Sequence, residues 1–170
     1  MSGVLARPRT VLRPMSDEDM PLIGAWWPEA TAVVHGTSKA QPAAELSEVL
    51  ADAEAFVIAE RDDSAPIGLL VYALTLDGWL EFRFVAIAAG RRGWGHGSEA
   101  VMLVEESGVA SRFAADVHEG NGLGVYFWTR IGYRPAAPGE VSWRSPDDLG
   151  LMTFVRVPAE SGHLRPEGGQ

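Results

Sequence analysis

The stretch at 80–106 is the feature that most constrains the fold of this chain. It reads LEFRFVAIAAGRRGWGHGSEAVMLVEE, an apolar run followed by a glycine-rich turn and a run of helix-forming residues. The run at 80–89 is rich in Phe, Val and Ile and has no Gly or Pro, which predicts a buried central strand. After Gly97, the apolar residues Val101, Val104 and Val109 approximate a helical stripe. The chain is therefore organised around a strand, a turn and a helix.

The turn at 91–97 is suited to binding an anion. Its alternating glycines let the backbone bend sharply and leave no Cβ between a ligand and the backbone N–H groups. The turn also opens a helix, and the unpaired N–H groups and positive dipole end at a helix N-terminus favour phosphate. Arg91 and Arg92 add formal positive charge. We therefore predict that this turn binds a diphosphate.

Three ligand classes use glycine-rich turns of this kind. A P-loop needs Gly-Lys-Ser/Thr after its glycines, but the only lysine of the chain is Lys39. A dinucleotide fingerprint beginning at Gly93 would place its last glycine on Ser98, although Asp116 lies at a suitable distance for its acidic residue. The third pattern, Arg/Gln-x-x-Gly-x-Gly/Ala after a strand, is met by residues 92–97.

A second stretch, at 115–133, resembles another motif of the protein family in which the third pattern occurs. It has a predicted strand, then Asn121 near the start of a helix, aromatic residues, and Gly132-Tyr133. Gly124 and Tyr133 stand where the family usually has Ala and Phe. With the two motifs in this order, the chain resembles the GNAT superfamily of N-acetyltransferases. The resemblance covers most of the chain, because residues 12–20 look like the first strand and helix of that family.

The resemblance implies an α/β (α+β) fold. Its mixed, mostly antiparallel central sheet has six to seven strands with about four helices, and strands 4 and 5 splay around a coenzyme A (CoA) site. We expect a single domain at 1–158 and a flexible tail at 159–170. The implied function is an acetyl-CoA-dependent N-acetyltransferase that moves the acetyl group directly to a primary amine in a ternary complex. An acyl-cysteine route is excluded because the chain has no cysteine. The alternative is a sensory or structural CoA-binding module with little catalysis.

The resemblance also assigns candidate residues. The segment Glu81-x-x-Phe84-x-Ala86-Ile87 resembles the one that carries the general-base glutamate in this family, which would place Glu81 next to the acceptor amine. Partial desolvation would raise the pKa of Glu81 and make the carboxylate a better base. Trp128 stands where the family often has a tyrosine that protonates the leaving thiolate, and indole cannot supply that proton. We expect Trp128 to form a wall of the site. Either solvent, His118 or Tyr72 then supplies the proton, or the thiolate departs unassisted. The expected cofactor-binding residues are Val85, Ile87, Arg91, Arg92, Gly93, Trp94, Gly95, His96, Gly97, Ser98, Asn121 and Trp128, and the expected acceptor-side residues are Trp26, Trp27 and Glu81.

Composition restricts the partners. The net charge of −9 and the pI near 4.8 disfavour nucleic-acid binding and favour a cationic amine, either a small molecule or a peptide. The sequence predicts no membrane span, no signal peptide and hence a cytoplasmic protein, and the family resemblance allows a homodimer. No two of the four histidines have metal-ligand spacing, so we expect no metal; His96 should point to solvent or to a phosphate.

Local patterns predict the remaining elements. Ser16 and Asp19 resemble a capping box that opens a helix through Trp27, and Pro28 should end that helix. Asp77-Gly78 predicts a tight hairpin turn. The other expected elements are a strand at 11–14, a loop at 31–41, a helix at 42–53, strands at 55–60, 66–76 and 113–117, a helix at 121–131, and strands near 141–143 and 151–157.

Overall fold

A computed structural model of the chain describes residues 3–34, 46–143 and 150–157. Its strands are β1 (Leu5–Ala6), β2 (Thr10–Pro14), β3 (Glu54–Glu60), β4 (Asp63–Leu74), β5 (Leu80–Ile87), β6 (Phe113–His118), β7 (Arg134–Pro135) and β8 (Leu151–Arg156). Its α-helices are α1 (Met20–Gly24), α2 (Trp27–Val34), α3 (Leu46–Leu50), α4 (His96–Glu106) and α5 (Gly122–Arg130). Short 3-10 helices lie at Asp17–Asp19 and Ala89–Arg91.

The described strands form one mixed sheet in the order β1-β2-β3-β4-β5-β6-β8-β7. All neighbours are antiparallel except β5 and β6, which are parallel. The α/β class and the mostly antiparallel sheet are therefore confirmed. The described strands number eight where six to seven were expected, because two-residue strands, β1 and β7, extend the two edges.

The helices cover both faces of this sheet. One face, here called the α4/α5 face, buries the largest core cluster, in which Val101 and Val104 of α4 meet Leu70 and Phe82 of the sheet. The opposite face, here called the α1/α2 face, buries Ile23, Trp27 and Ala30 against Val57, Leu69, Val71, Phe84 and Ala86. A smaller cluster of Trp79, Ala114, Val141 and Val155 covers the β6 and β8 end of the α1/α2 face.

A β-bulge in β5 changes which side chains face each layer. Val71 of β4 pairs with Phe84 while the next residue, Tyr72, pairs with Phe82, so Arg83 is an extra residue in β5. Before the bulge, Phe82 packs into the α4/α5 face; after it, Phe84 packs into the α1/α2 face. By the same alternation Glu81 faces the α1/α2 side.

The sheet forks next to this bulge. The β5 and β6 ladder contains only the pairs Leu80↔Phe113, Glu81↔Ala114 and Phe82↔Ala115. Beyond them β5 continues to Ile87 along β4, and β6 continues to His118 along β8. The two parallel strands therefore diverge from one another, as the resemblance implied.

The first helical segment is held by a closed polar corner. The Ser16 N–H donates to Asp19 Oδ2 at 2.9 Å, so the predicted capping contact is present. Arg13 clamps the same carboxylate through two hydrogen bonds of 2.7 and 2.6 Å. This corner, Arg13 with Ser16 and Asp19, ties β2 to the helices of the α1/α2 face.

Several predicted boundaries are wrong. Pro28 does not end a helix: it lies in the first turn of α2, where its missing N–H has no intrahelical partner to lose. The loop expected at 31–41 is therefore helical as far as Val34, and the rest of that range lies outside the described residues. The helix expected at 42–53 is described only from Leu46 to Leu50. The predicted hairpin turn is present, with Gly78 at φ +82°.

The strand expected near 141–143 is also wrong. Residues 134–135 take the place beside β8 instead, as β7. Val141 is nevertheless buried, because it packs on Ala114 and Val155 from the α1/α2 side. The tail expected at 159–170 lies outside the described residues.

Candidate functional site

The glycine turn has the backbone geometry that an anion site requires. Gly93 and Gly95 both have left-handed φ angles, +85° and +89°, which side chains other than glycine rarely adopt. Gly95 is the N-cap of α4, so the helix begins at His96, earlier than the expected start after Gly97. A Cβ on Gly93 would meet no atom of the described residues within 4 Å, so among these residues that side of the turn is open. Ser98 lies in the first turn of α4, and Trp94 is 65% exposed.

The two arginines of the turn are held by acidic partners from other elements. Arg91 contacts the carboxylate of Glu60, at the end of β3, at 3.0 Å. Arg92 donates from Nε to the Ile87 carbonyl oxygen at 2.8 Å and contacts Glu29 of α2 at 3.1 Å. Both pairs are partly exposed, so each is worth little net stability. The guanidinium groups can therefore exchange a carboxylate for another anion at small cost.

The His96 side chain was expected to point to solvent or to a phosphate, and this prediction is wrong. The ring is 5% exposed and packs under the turn. Its Nδ1 lies 3.0 Å from Thr10 Oγ1, and its Nε2 lies 3.6 Å from Glu60 Oε1. Because His96 begins α4, its side chain turns toward β2 and β3, against which the helix packs. Only its backbone remains available to a ligand.

A path of apolar side chains leads from the turn to the fork. A Cβ on Gly97 would lie 3.4 Å from Phe127 and 3.7 Å from Ile87, so the start of α4, the end of β5 and α5 meet here. Val85 and Ile87 are partly buried and both face the α4/α5 side. A larger residue at position 97 would narrow this junction. The expected cofactor residues of β5 and of the turn are thus brought together.

Asn121 has a structural task at the start of α5. Its side chain is the N-cap and accepts the Gly124 N–H at 2.8 Å. A Cβ at position 124 would lie 2.6 Å from Asn121 Nδ2 and 2.9 Å from Val117, so only glycine fits without a shift. This explains why Gly124 stands where the family usually has alanine. The expected cofactor contact of Asn121 stays a prediction.

Trp128 lies in the core of the α4/α5 face. Its ring packs on Phe82 at 5.5 Å, on Phe127 at 5.0 Å and on Tyr133 at 4.8 Å between centroids. Phe82 is the last β5 residue paired with β6, so Trp128 supports the base of the fork. Its contact with a ligand stays a prediction.

Glu81 lies at the base of the fork on the α1/α2 side. Its side chain is 20% exposed, and it pairs with Arg83, whose Nε lies 3.6 Å from Oε2. Burial raises the pKa of the Glu81 carboxyl, the Asp116 carboxylate raises it further, and Arg83 opposes both. The half-buried setting expected for Glu81 is therefore present. Such a carboxyl is poised to take up a proton.

The two tryptophans of the α1/α2 side differ. Trp27 is buried, and its ring packs on Phe84 at 4.6 Å, so it is a core residue of this face. Trp26 is partly buried and packs at the margin of the same cluster. Its Nε1 atom is buried without a hydrogen-bond partner among the described residues. Trp26 is therefore the better placed of the two for an acceptor contact, which stays a prediction.

The other proposed proton sources lie in different settings. Tyr72 is buried and stacks on Phe56 at 5.9 Å in the α4/α5 core, and burial raises the pKa of its phenol. His118 Nδ1 accepts the Gly120 N–H at 3.1 Å, which orients the ring at the end of β6. Within the described ranges, no group of three or more acidic, His or Cys side chains could hold a metal ion. No described helix is long and apolar enough to cross a bilayer.

The partners of Arg91, Arg92 and His96 were missed by sequence reasoning. Glu29, Glu60 and Thr10 come from α2, β3 and β2, far from the glycine motif in the chain. Nothing in their local sequence marks them, because only the sheet order brings the ends of β2 and β3 under the start of α4. Arg9, which also contacts this turn, was missed for the same reason.

Comparisons with solved structures place this architecture among acetyltransferases. An acetyltransferase from Thermus thermophilus is 19% identical and aligns with a TM-score of 0.64 over 87% of this chain and 96% of that chain. One from Agrobacterium tumefaciens is 17% identical, with a TM-score of 0.70 over 92% and 95%. A GNAT family acetyltransferase from Elizabethkingia anophelis with acetyl-CoA bound is 13% identical, with a TM-score of 0.62 over 89% and 99%.

Sequence comparison adds no relative. No protein-family model matches the chain, and no curated protein matches it. The likeness therefore rests on the overall arrangement of the backbone, at 13–19% sequence identity. By this arrangement, the chain has the fold of the GNAT acetyltransferases.

Proposed function

We propose that this protein is an acetyl-CoA-dependent N-acetyltransferase. The observation that carries the proposal is the junction of three features at the end of β5: the fork from β6, the left-handed glycine turn and the N-terminus of α4. The acetyl-CoA in the Elizabethkingia anophelis neighbour supports the choice of cofactor. The amine acceptor is inferred from the carboxylate at the fork.

The residues present fit a CoA-type molecule. The turn offers backbone N–H groups next to Gly93, where an added Cβ would meet no described atom within 4 Å, and Arg91 and Arg92 belong to the same turn. The junction at Gly97, Ile87 and Phe127 leads from there toward the fork. Bound acetyl-CoA supplies an activated acetyl group as a thioester. We assign its diphosphate to the turn and its pantetheine arm to the divergence of β5 and β6.

We assign the general base to Glu81. An amine is protonated at neutral pH and must lose a proton before it can attack a carbonyl carbon. The partly buried Glu81 carboxylate, on the α1/α2 side of the fork, accepts that proton directly or through water. The acceptor amine then occupies the α1/α2 side, with Trp26 at its margin. The two substrates meet from opposite faces of the sheet.

Backbone N–H groups of β5 supply the hydrogen bonds that the thioester carbonyl and the pantetheine arm still need. Past Phe82, β5 has no ladder partner on its β6 side among the described residues. We assign its N–H groups near Val85 and Ile87 to bind the pantetheine arm and to polarise the thioester carbonyl. Trp128 supports this segment through Phe82 and supplies shape, with no proton to donate. The thiol of CoA is acidic enough for its thiolate to leave without an acid in the protein, and solvent then protonates it.

We further propose that the protein is cytoplasmic, takes a small-molecule or peptide amine, binds neither nucleic acid nor membrane, and acts as a monomer or homodimer. The acidic net charge of −9 supports a cationic acceptor. A direct transfer needs no acyl-enzyme, in keeping with the absence of cysteine from the sequence.

The test is thiol release from acetyl-CoA across a panel of amines and basic peptides. We expect amine-dependent release of free CoA and a product heavier by one acetyl group in mass spectrometry. Tight binding of CoA without transfer to any amine would instead favour the alternative, a CoA-binding sensory or structural module. Failure to bind CoA at all would overturn both.

A further inference from the structure

A third arginine, Arg9, lies against the glycine turn. It comes from the connection between β1 and β2, 82 residues before Arg91 in the chain. Its Nη2 atom is 3.2 Å, and its guanidinium carbon 3.8 Å, from the point where a Cβ on Gly95 would stand. The side chain is 60% exposed. A solvated cation therefore covers the N-cap residue of α4.

Positive charge at this place is unfavourable in the absence of an anion. The N-terminus of a helix carries a partial positive charge and repels cations. Arg9 nevertheless lies against this N-cap, and Arg91 and Arg92 stand in the turn just before it, in a chain with 14 Lys and Arg against 23 Asp and Glu. Several arginines placed near the positive end of a helix are expected where a multiply charged anion binds.

Each of these arginines is balanced by one carboxylate of a different element. Arg9 contacts Glu99 of α4 at 3.1 Å, as Arg91 contacts Glu60 and Arg92 contacts Glu29. In all three pairs at least one partner is substantially exposed, so the pairing energy is small. The carboxylates hold the guanidinium groups near the turn, and a phosphate can still replace them as the binding partner.

The backbone that carries Arg9 is fixed relative to α4. The Arg9 carbonyl accepts the Arg61 N–H at 3.1 Å, and the next residue, Thr10, has its hydroxyl 3.0 Å from His96 Nδ1. Thr10 and His96 are both buried. The start of β2 is thereby joined to the first residue of α4, which places the Arg9 side chain reproducibly beside Gly95.

We infer that Arg9 is a third phosphate-binding residue of the nucleotide site. The inference rests on the proposed function, since the ligand class is a CoA-type nucleotide. Such a molecule carries a diphosphate and a ribose 3′-phosphate, and the structure assigns Arg9 to one of these groups. The charge-assisted contact is the same in both cases.

Binding of CoA to the full chain, measured by calorimetry without any amine, tests the inference. We expect Arg9→Ala to weaken CoA binding on the order of tenfold, and the loss to shrink as salt is added. Arg7→Ala is the matched control, because Arg7 lies in the same connection but pairs with Glu106 at the other end of α4. It removes the same charge and should leave the affinity within about twofold, because Arg7 lies at the opposite end of α4 from the proposed phosphate site and salt screens attraction over that distance.

A second ligand, 3′-dephospho-CoA, distinguishes the two phosphate groups. A loss with CoA alone assigns Arg9 to the 3′-phosphate, and an equal loss with both ligands assigns it to the diphosphate. Arg9→Lys keeps the charge and should recover part of the affinity, which guards against a general loss of folding. Equal CoA affinity of wild type, Arg9→Ala and Arg7→Ala would overturn the inference alone. A wild-type protein that binds no CoA would overturn the proposed function.

Discussion

Two carboxylates on the α1/α2 side of the sheet, Asp19 and Glu81, lie in opposite environments. Asp19, at the closed corner, accepts two hydrogen bonds from Arg13 and one each from the Ser16 N–H and hydroxyl. Glu81, at the fork, has Arg83 at 3.6 Å and the like charge of Asp116 near it. The pKa of Asp19 is held well below its ordinary value, mainly by Arg13, whereas burial raises the pKa of Glu81.

The difference in environment separates a carboxylate that stabilises the fold, Asp19, from one that can exchange a proton, Glu81. A buried carboxylate with four donors is stabilised as an anion and resists protonation. A carboxylate that loses water without gaining equivalent donors takes up a proton more readily and adds nothing to stability. The closed corner should therefore matter for folding and the open fork for turnover, which mutations can separate.

The largest expected effect comes from placing a carboxylate at the open end of the site. Gly95→Asp puts a Cβ and a negative charge at the N-cap of α4, at a φ of +89° and where a diphosphate is proposed to bind. We expect CoA affinity to fall at least about 100-fold. Calorimetric titration measures it, with circular dichroism as the folding check. Gly108→Asp, at φ +72° just after the same helix, is the control and should bind CoA normally; unchanged binding by Gly95→Asp contradicts the site.

Glu81→Gln should leave folding and CoA affinity intact and lower turnover about 100-fold or more, the scale of a general base. Because the pKa of Glu81 is raised, its neutral form is favoured in the folded protein and ionisation costs stability as pH rises. The glutamine variant should therefore melt at the same temperature or higher at neutral pH.

The pH profile sharpens this test. Wild-type kcat/KM should rise with pH through a pKa above the ordinary carboxyl value of 4.5, and Glu81→Gln should lose that limb. Its deficit should shrink at high pH, where the free amine is abundant. Glu54→Gln on the exposed end of β3 is the control. A wild-type rate for Glu81→Gln at neutral pH would assign the base to another group or to water.

Asp19→Asn should show the reverse pattern, with turnover per folded molecule nearly normal and a loss of stability of about 2–3 kcal/mol. The lowered pKa means that the ionised form contributes stability above the ordinary value of 3.8, and that this contribution is lost as pH falls below it. Urea unfolding of both proteins between pH 7 and pH 2 measures this. The gap between wild type and variant should close on acidification, whereas Asp17→Asn, on the exposed side of the same turn, should change little. A gap that persists at low pH would mean that packing, and not charge, is lost.

The smallest effect is expected from Trp128→Phe. Phenylalanine keeps an aromatic contact with Phe82 and Tyr133 but loses the indole N–H and part of the buried area. We expect turnover within a few-fold of wild type and a destabilisation of about 1–2 kcal/mol. A thousandfold fall in turnover with normal folding and CoA affinity would show that the indole takes part in the chemistry.

Local sequence predicted the parts of the fold that depend on local physics. The glycine turn, the Ser16 and Asp19 capping contact and the hairpin at Gly78 all follow from backbone preferences of nearby residues. The boundary at Pro28 failed, because proline is compatible with both the end of one helix and the first turn of the next. The strand order, and hence the fork, came only from the family resemblance.

The charged surroundings of the turn could not be predicted from spacing. His96 was expected at the surface and is buried, because the buried Thr10 hydroxyl and the partly exposed Glu60 carboxylate lie next to its ring nitrogens. The position of Arg9 beside Gly95 depends on how the β1 and β2 connection lies along α4. The contacts of Thr10 with His96 and of Arg9 with Gly95 join positions more than 80 residues apart, and no periodicity along the chain records them.

The extra residue in β5 also limits how the sequence of this strand can change in evolution. Arg83 reverses the alternation, so Glu81 faces the α1/α2 side although Val85 and Ile87, at the same parity, face the other. A regular strand of the same length, without the bulge, would put the carboxylate and the two apolar side chains on one face. A single-residue insertion that no second bulge absorbs would turn the side chains on one side of it to the opposite face. Relatives that share this site should therefore vary in the loops and keep the bulge wherever they keep the length of β5.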